Sequence, residues 1–106
     1  MTIDRYLMSE VEQTLRRIEG NKSVIGTLVL DGSNHVIHSH FKSADPSKYA
    51  DKLPPLIERA RCMVRDLDPT NDLTFLRIRA DKTEIMVAPG DDYTLIVVQN
   101  VVLIDS

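Results

Sequence analysis

The sequence of 106 residues predicts an α+β domain in which two main helices cover a five-stranded, mostly antiparallel sheet. Three observations predict this class: two segments have helical apolar periodicity, five have strand character, and the connections between consecutive strands resemble turns. The predicted order is helix, strand, strand, helix, strand, strand, strand. We expect a single domain over residues 1–106, with a core at about 9–100 and an apolar C-terminal extension at 101–106.

The first predicted element is an amphipathic helix in MSEVEQTLRRIEG, residues 8–20. Apolar residues recur there at steps of three and four, as one face of a helix requires. Ser9 and Glu12 have the spacing of a capping box, although the helix could also start earlier, at Thr2 or Asp4. The predicted apolar face consists of Met8, Val11, Leu15 and Ile18.

Two apolar runs, SVIGTLVL and HVIHSHF, are joined by DGSN and predict a β-hairpin. We expect Gly32 to supply the positive φ angle that a tight turn requires. The first run is apolar on both faces, which is typical of a central strand, and the second carries three histidines and predicts an edge strand. The two faces of the first run are predicted to consist of Val24, Leu28 and Leu30 on one side and Ile25 and Val29 on the other.

A second amphipathic helix is predicted in DPSKYADKLPPLIERARCMVRDLD, residues 45–68. Pro54 and Pro55 interrupt it, because an interior proline loses a hydrogen bond and clashes with the preceding turn, at a cost of about 3 kcal/mol. We therefore expect a break near Leu53–Pro54 and a main helix with Pro55 near its first position. The apolar stripe comprises Tyr49, Leu53, Leu56, Ile57, Ala60, Met63, Val64 and Leu67.

The remainder predicts three strands, LTFLRIRA, EIMVA and YTLIVVQN, connected by the turn-like DKT and PGDD. The last strand is apolar on both faces and is expected to be central. The first has one apolar face and one mixed face, which suits an edge that another chain covers or an edge that its arginines protect. Its predicted faces are Thr74, Leu76 and Ile78 on one side and Leu73, Phe75, Arg77 and Arg79 on the other.

In the acidic stretch RDLDPTND, residues 65–72, the three aspartates resemble the start of a calcium loop. Counted from Asp66, an EF-hand loop needs glycine at its sixth position and glutamate at its twelfth, where this chain has Asn71 and Arg77. The residues favour a turn between the second helix and the next strand, in which Pro69 presets φ and Asn71 tolerates a left-handed conformation.

The remaining candidates for chemistry are three histidines and one cysteine. On a strand, His38 and His40 share a face and His35 lies on the other, so too few ligands converge for zinc. Cys62 has no histidine placed nearby as a base, and a lone cysteine predicts no internal disulfide and a reducing compartment. Phosphate-loop, dinucleotide-binding and zinc-protease motifs are absent from the sequence. We expect no catalytic residues, no cofactor and no metal.

The composition of the chain limits the classes of molecule that it is expected to bind. The formal net charge of −3 and the pI of about 5.5 argue against nucleic-acid binding. The beginning of the sequence has no apolar run typical of a signal peptide, and the longest apolar run, VVLI at 101–104, is too short to cross a bilayer. We therefore expect a soluble intracellular protein without membrane insertion.

The segments VRDLDPTNDLTFLRIR, EIMVAP and DYTLIVVQN resemble the roadblock family of dynein light chains, with similarity over about residues 9–100. The resemblance implies a profilin-like fold and a homodimer in which third strands and second helices meet across a twofold axis. It also implies a non-catalytic light chain of cytoplasmic or axonemal dynein, which binds the dynein intermediate chain, attaches cargo and associates with microtubules in the cytoplasm. Other roadblock-type proteins act on small GTPases as scaffolds or regulators, and pairing with a different roadblock chain is a third alternative.

The resemblance also implies site residues. The sheet face beside the first helix is expected to bind the partner, and the chain departs from the family at Pro54–Pro55 and in the tail VVLIDS. That tail is expected to extend the last strand, to pack back on the sheet, or to cover a surface that relatives offer to partners. For the dimer interface, the implied residues are Leu73, Phe75, Arg77, Ile78, Arg59, Cys62 and Met63. For partner binding, they are Val11, Leu15 and Arg79.

Overall fold

The computed structural model describes residues 5–42 and 44–101, and for residues 5–11 it describes the backbone alone. These residues form a five-stranded sheet in the order β2-β1-β5-β4-β3, and every neighbouring pair is antiparallel. The predicted class, element order and antiparallel sheet are therefore confirmed. The elements are α1 (Arg5–Glu19), β1 (Val24–Asp31), β2 (Val36–Phe41), α2 (Pro46–Leu67), β3 (Leu76–Arg79), β4 (Thr83–Pro89) and β5 (Tyr93–Asn100).

The helix α1 includes Arg5, so Ser9 lies inside the helix and is not its cap as the capping-box spacing predicted. Residues 1–4, where the alternative start was expected, lie outside the described part of the chain. None of the helices described is both long enough and apolar enough to span a membrane.

The two strands that are apolar on both faces, β1 and β5, lie at the centre of the sheet, and β2 and β3 form its edges. Both central assignments and both edge assignments are confirmed. The reason is burial: Leu28 and Leu30 in β1 and Ile96 and Val98 in β5 are completely inaccessible to solvent. Strands covered on both faces need apolar side chains at successive positions, and β1 and β5 supply them.

The largest apolar cluster lies between the sheet and α2. Leu53 and Ile57 of α2 pack against Leu28 of β1 and its neighbours. The cluster reaches the β2 edge through the rings of Phe41 and Tyr49, which stack with centroids 5.3 Å apart. This contact ties the first turn of α2 to the edge strand, so the N-terminal half of α2 is fixed to the sheet.

The helix α2 runs without interruption through Pro54 and Pro55, so the predicted break near Leu53–Pro54 is wrong. The helix begins at Pro46, whose missing N–H is not needed in the first turn, and Asp45 caps it by accepting hydrogen bonds from Ser47. On either side of the proline pair, Leu53 and Ile57 are 5% and 7% exposed and belong to one core cluster. Burying two such side chains contributes about 3–6 kcal/mol, which is of the same order as a cost of about 3 kcal/mol for each of the two interior prolines.

The β1–β2 hairpin is confirmed, but its left-handed residue is Asn34, with φ of 65°, and not Gly32. The turn is held by Asp31, whose carboxylate accepts hydrogen bonds from the backbone N–H groups of Ser33 and His35. Asparagine tolerates this conformation better than most residues, so the glycine is not required. Asn71 does not have the left-handed conformation that the sequence suggested for it either.

Two strand faces differ from the predicted alternation. In β1 the pairing with β5 shifts register between Val24 and Gly26, so Ile25 joins the cluster under α2, whereas Val24 lies on the α1 side. The register shift is the physical reason, because one extra residue reverses the faces that precede it. Before β3 the ladder begins only at Leu76, and Leu73 packs on the α2 side with Leu76, not with Phe75 as predicted.

Candidate protein-interaction surfaces

An apolar ridge runs along the outer side of α2 and is not covered within the described chain. It consists of Leu56, Met63 and Leu67, whose exposed fractions are 42%, 57% and 80%. Steps of seven and four residues place these side chains in one line on the helix. We call these three residues the α2 ridge. Adjacent exposed apolar side chains of this size indicate a surface that binds another protein.

A shallow depression of about 410 Å³ lies along the C-terminal half of the α2 ridge. It brings together three of the residues that the resemblance assigned to a dimer interface, Arg59, Cys62 and Met63. Glu58 and Asp66 complete the lining with Leu67. The depression therefore combines apolar side chains with charges of both signs, as the margins of protein interfaces do.

The connection after α2 leads to the edge strand β3, which within the described residues pairs with β4 alone. Its outer backbone groups are therefore available for another strand. Of the predicted interface residues near it, Phe75 is 52% exposed and Arg77 is also exposed, whereas Leu73 and Ile78 are half-buried against the core. The assignment of these residues to a dimer interface stays a prediction.

The carboxylate of Glu84 in β4 is a buried charge that the sequence reading missed. Arg77 donates to its Oε1 at 2.8 Å and Gln99 donates to the same oxygen at 2.7 Å, while Nε of Arg79 lies 4.0 Å from Oε2. The bond from Arg77, supported by that from Gln99, holds the pKa of Glu84 below its ordinary value. The available signal was a glutamate in an apolar strand whose predicted neighbour carries two arginines.

The acidic stretch after α2 acts as a turn, as predicted. Asp68 accepts hydrogen bonds from the backbone and hydroxyl of Thr70, and Asp72 lies 3.3 Å from Arg65 and 3.6 Å from Arg61. The backbone N–H of Leu73 and the guanidinium of Arg65 hold the pKa of Asp72 below its ordinary value. These carboxylates attach the end of α2 to the connection that leads into β3.

On the opposite face of the sheet, α1 leaves an apolar groove of about 460 Å³ beside it. This α1 groove crosses β1, β5 and β4 and ends at Phe75, on the face where the resemblance places a partner. Arg17 and Asn21 form part of its rim. The lining comprises Arg17, Ile18, Asn21, Val24, Phe75, Met86, Ala88, Leu95, Val97 and Gln99.

The three residues predicted to bind a partner are not brought together on this face. Leu15 is 3% exposed and packs inside the chain, so it positions α1 and does not itself face a partner. Arg79 is exposed but lies beside Glu84 at the β3 edge, and it does not line the α1 groove. The side chain of Val11 falls outside the described part of the structure. Partner binding by these residues stays a prediction.

A polar contact attaches the end of α1 to the sheet. Oε1 of Glu19 accepts a hydrogen bond from the hydroxyl of the fully buried Thr27 at 2.5 Å and lies 2.8 Å from Nε2 of His38. Burial alone would raise the pKa of Glu19, but the bonds from Thr27 and His38 outweigh it, so the pKa lies below its ordinary value. His38 is thus a structural partner of a carboxylate, and the residues described contain no cluster of three or more groups able to hold a metal ion.

Solved structures with the same fold include proteins from named bacteria. A Roadblock/LC7 domain from Streptomyces avermitilis matches with a TM-score of 0.67 and 16% identity, covering 78% of this chain and 71% of that one. Myxococcus xanthus MglB matches with a TM-score of 0.64 and 15% identity, covering 79% and 70%. A structure described as MglB with a tetrameric arrangement matches with a TM-score of 0.72 and 11% identity, covering 94% and 76%.

These findings correct the functional expectation. The prediction of a dynein light chain that binds the dynein intermediate chain is wrong, because the matching structures named above are described as roadblock or MglB proteins and not as dynein subunits, and nothing in them supports association with microtubules. At such low identity, they establish the fold and not a shared activity. The family itself rests on sequence, since a model of the Roadblock/LC7 domain matches residues 10–100. The chain belongs to the Roadblock/LC7 domain family.

Proposed function

We propose that the chain is a non-catalytic, dimeric regulator or scaffold for a small GTPase in the cytoplasm. The resemblance to roadblock-type proteins that act on small GTPases supports this role, the chain belongs to the same domain family, and one of the similar structures is described as a tetrameric arrangement of MglB. The proposal rests on two features, the exposed α2 ridge and the open edge of β3, which within the described residues pairs with β4 alone. Exposed apolar side chains and an open strand edge are each of the kind that a second chain covers.

The dimer is proposed to form by pairing of β3 edges and contact between α2 ridges. A twofold axis at this edge would continue the sheet from one protomer into the next and leave no open β3 edge. The apolar side chains of the α2 ridge would be removed from water in the same step, at a contribution of about 25 cal/mol for each Å² of apolar surface. Of the predicted interface residues, Arg59, Cys62 and Met63 line the depression along the α2 ridge, and Phe75 is exposed just before β3, on the face of the α1 groove.

The engagement of several arginines favours positioning over direct help in hydrolysis. An activating partner that acts in trans supplies an arginine to the phosphates of the nucleotide. Arg77 and Arg79 are instead paired with Glu84, and Arg61 and Arg65 with Asp72. We therefore propose that the dimer holds the GTPase or its switch segments in place, and that the chemistry belongs to the GTPase.

The test measures the mass of the complex with a GTPase and the rate of GTP hydrolysis. The chain is mixed with the small GTPases of its source organism, each loaded with GDP or a non-hydrolysable GTP analogue, and the mass of each complex is measured by light scattering after size exclusion. We expect a dimer that binds one GTPase in one nucleotide state. Single-turnover hydrolysis should change far less than the roughly 10³–10⁵-fold that an arginine finger supplies. Absence of nucleotide-dependent binding to every GTPase would refute the proposal.

A second candidate is pairing with a different roadblock chain. The mixed charges around the α2 ridge, from Glu58, Arg59 and Asp66, favour it because charge patterns select between related partners. Purification of the tagged chain from its source cells distinguishes a heterodimer from a homodimer. A second roadblock protein in equal amount supports the heterodimer, and a single species of twice the chain's mass supports the homodimer.

A further inference from the structure

We propose that the dimer carries a basic docking surface for an acidic protein segment, formed by Arg77 and Arg79 of both protomers across the twofold axis. The inference rests on the dimer of the proposed function, in which β3 edges pair and α2 ridges meet. It adds to that function the place and the chemistry of a contact with a partner. We call Arg77 and Arg79 the β3 arginines.

The β3 arginines lie on the sheet face that carries the α1 groove. Arg77 lies opposite Met86 in the β3–β4 ladder, and Arg79 lies opposite Glu84. Residues directly opposite each other in an antiparallel pair share a face, and Met86 lines the α1 groove. Glu84 is two positions from Met86 along β4, so it belongs to the same face. The β3 arginines and the carboxylate that pairs with them are therefore on the side of the sheet away from the α2 ridge.

The symmetry of the proposed dimer brings the β3 arginines of the two protomers together. Two α2 ridges can meet only if both helices lie on one face of the joined sheet, so the twofold axis is perpendicular to the sheet. The two α1 sides then also form one face. When such an antiparallel pairing is centred on β3, residues of that face lie opposite or diagonal to their copies, with Cβ atoms about 4.5–8 Å apart. The β3 arginines of one edge thus lie beside those of the other.

This cluster has an excess of positive charge. Each protomer contributes two guanidinium groups and one carboxylate, because Arg77 and Arg79 share Glu84. The side chains of the two arginines are 56% and 62% exposed, whereas that of Glu84 is 3% exposed. A molecule that approaches the axis therefore meets guanidinium groups and not the carboxylates. The chain as a whole has a net charge of −3, so this basic surface is a local exception.

An acidic protein segment matches this surface. Its carboxylates accept paired hydrogen bonds from guanidinium groups, and they relieve the repulsion between like charges on neighbouring strands. On each side of the axis, the α1 groove of one protomer ends at the exposed ring of Phe75, so apolar residues that flank the acidic ones can pack there. The segment contacts both protomers, and its binding therefore strengthens the dimer.

Two short synthetic peptides test the proposal. The first has glutamates at its centre and leucines at both ends, and the second has glutamines in place of the glutamates. Fluorescence anisotropy measures the affinity of each peptide, and sedimentation measures the dissociation constant of the dimer with and without peptide. We expect the glutamate peptide to bind roughly tenfold more tightly than the glutamine peptide, to lose this advantage in high salt, and to tighten the dimer.

Two substitutions should change the affinity for the glutamate peptide in opposite directions. Arg79→Gln removes one positive charge from each protomer and keeps the hydrogen bonds of Glu84 with Arg77 and Gln99, so binding should weaken roughly 3–10-fold. Glu84→Gln removes the opposing charge and keeps an oxygen that accepts from Arg77, so binding should become stronger by a similar factor. Lys52→Gln, at an exposed position of α2, is the matched control and should leave the affinity unchanged.

The outcomes separate this inference from the proposed function. A dimer that binds the two peptides equally overturns the basic docking surface, and the proposed function stands. Inorganic polyphosphate that binds the dimer as tightly as the glutamate peptide overturns recognition of a protein segment. Equal affinity of monomer and dimer for the glutamate peptide overturns a surface shared across the axis. A chain that stays monomeric at every concentration refutes the dimer of the proposed function, and the inference fails with it.

Discussion

The two neighbouring faces of α2 differ in what covers them. The inner face places Leu53 and Ile57 against the sheet, where they are almost completely buried. The α2 ridge, one step around the same helix, places Leu56, Met63 and Leu67 in solvent. Both faces are apolar, and both belong to the single stripe that predicts the helix. An apolar stripe wider than the chain can cover thus indicates both a core and an interface.

The two faces contribute to different free energies, the inner face to that of unfolding and the α2 ridge to that of association. The inner face contributes to the folding of one chain, so its loss should appear in the free energy of unfolding at any protein concentration. The α2 ridge contributes to folding only where a second molecule covers it, so its loss should appear in an association constant. Substitutions on the two faces therefore have different readouts, which allows the comparison to be tested directly.

The largest effect is expected on the inner face. Ile57→Ala should lower the free energy of unfolding by about 2–5 kcal/mol, because it removes buried methyl groups and leaves a cavity. Leu56→Ala, one residue away on the α2 ridge, is the matched control and should change it by only about 0.5 kcal/mol. Urea denaturation in a Met63→Asp/Leu67→Asp background measures both without a dimer contribution. Equal losses at the two positions would mean that the faces do not differ.

The next effect is expected on the α2 ridge. Met63→Asp/Leu67→Asp should weaken association by roughly 30-fold or more, the equivalent of about 2 kcal/mol, because charges replace apolar contacts at the centre of the proposed interface. Sedimentation over a range of concentrations measures the dissociation constant. Val36→Asp/Ile37→Asp, which alters two exposed apolar residues of the β2 edge, is the control and should leave it unchanged. A dimer that is lost only in the control would move the interface to β2.

A smaller effect tests how packing maintains α2 across its prolines. Pro55 is exposed, and Pro55→Ala restores an N–H that can bond to the carbonyl of Asp51. The gain of about 3 kcal/mol in the helix is reduced by about 1 kcal/mol, because alanine gives the unfolded chain more freedom. We expect a net increase of about 2 kcal/mol in the free energy of unfolding. Pro46→Ala in the first turn is the control and should give no such increase, and a destabilised Pro55→Ala would contradict the argument.

The smallest effect concerns the attachment of α1. The pKa of Glu19 is lower in the folded chain than its ordinary value of 4.5, so the folded state holds this proton less strongly than the unfolded state. Its contribution to stability is therefore present above about pH 4.5 and is lost as the pH falls through the folded value. Glu19→Gln should flatten the dependence of stability on pH below pH 4.5, measured by thermal denaturation at several pH values. If the Glu19→Gln variant keeps the same dependence of stability on pH in acid, the carboxylate of Glu19 contributes nothing to stability.

The elements of the fold could be predicted from short-range patterns. Period-two and helical apolar spacing located the helices and strands, and strands apolar on both faces identified β1 and β5 as central. Of the candidate site, the sequence placed Arg59, Cys62 and Met63 on one helical segment, and the structure brings them to one surface depression. It could not separate Leu15, which the sheet covers, from side chains that face a partner.

The sequence by itself determined the order of the elements, the family and the apolar stripe of α2, because these depend on residues close together in the chain. Tertiary structure alone decided that α2 continues through Pro54–Pro55, that Val24 lies on the α1 side, and that Glu84 is buried between Arg77 and Gln99. Each of these depends on contacts between different elements of the fold, whose packing free energy exceeds a local preference of a few kcal/mol. The same principle leaves the α2 ridge exposed, because the sequence specifies an apolar surface and three-dimensional packing determines which part of it the chain itself can cover.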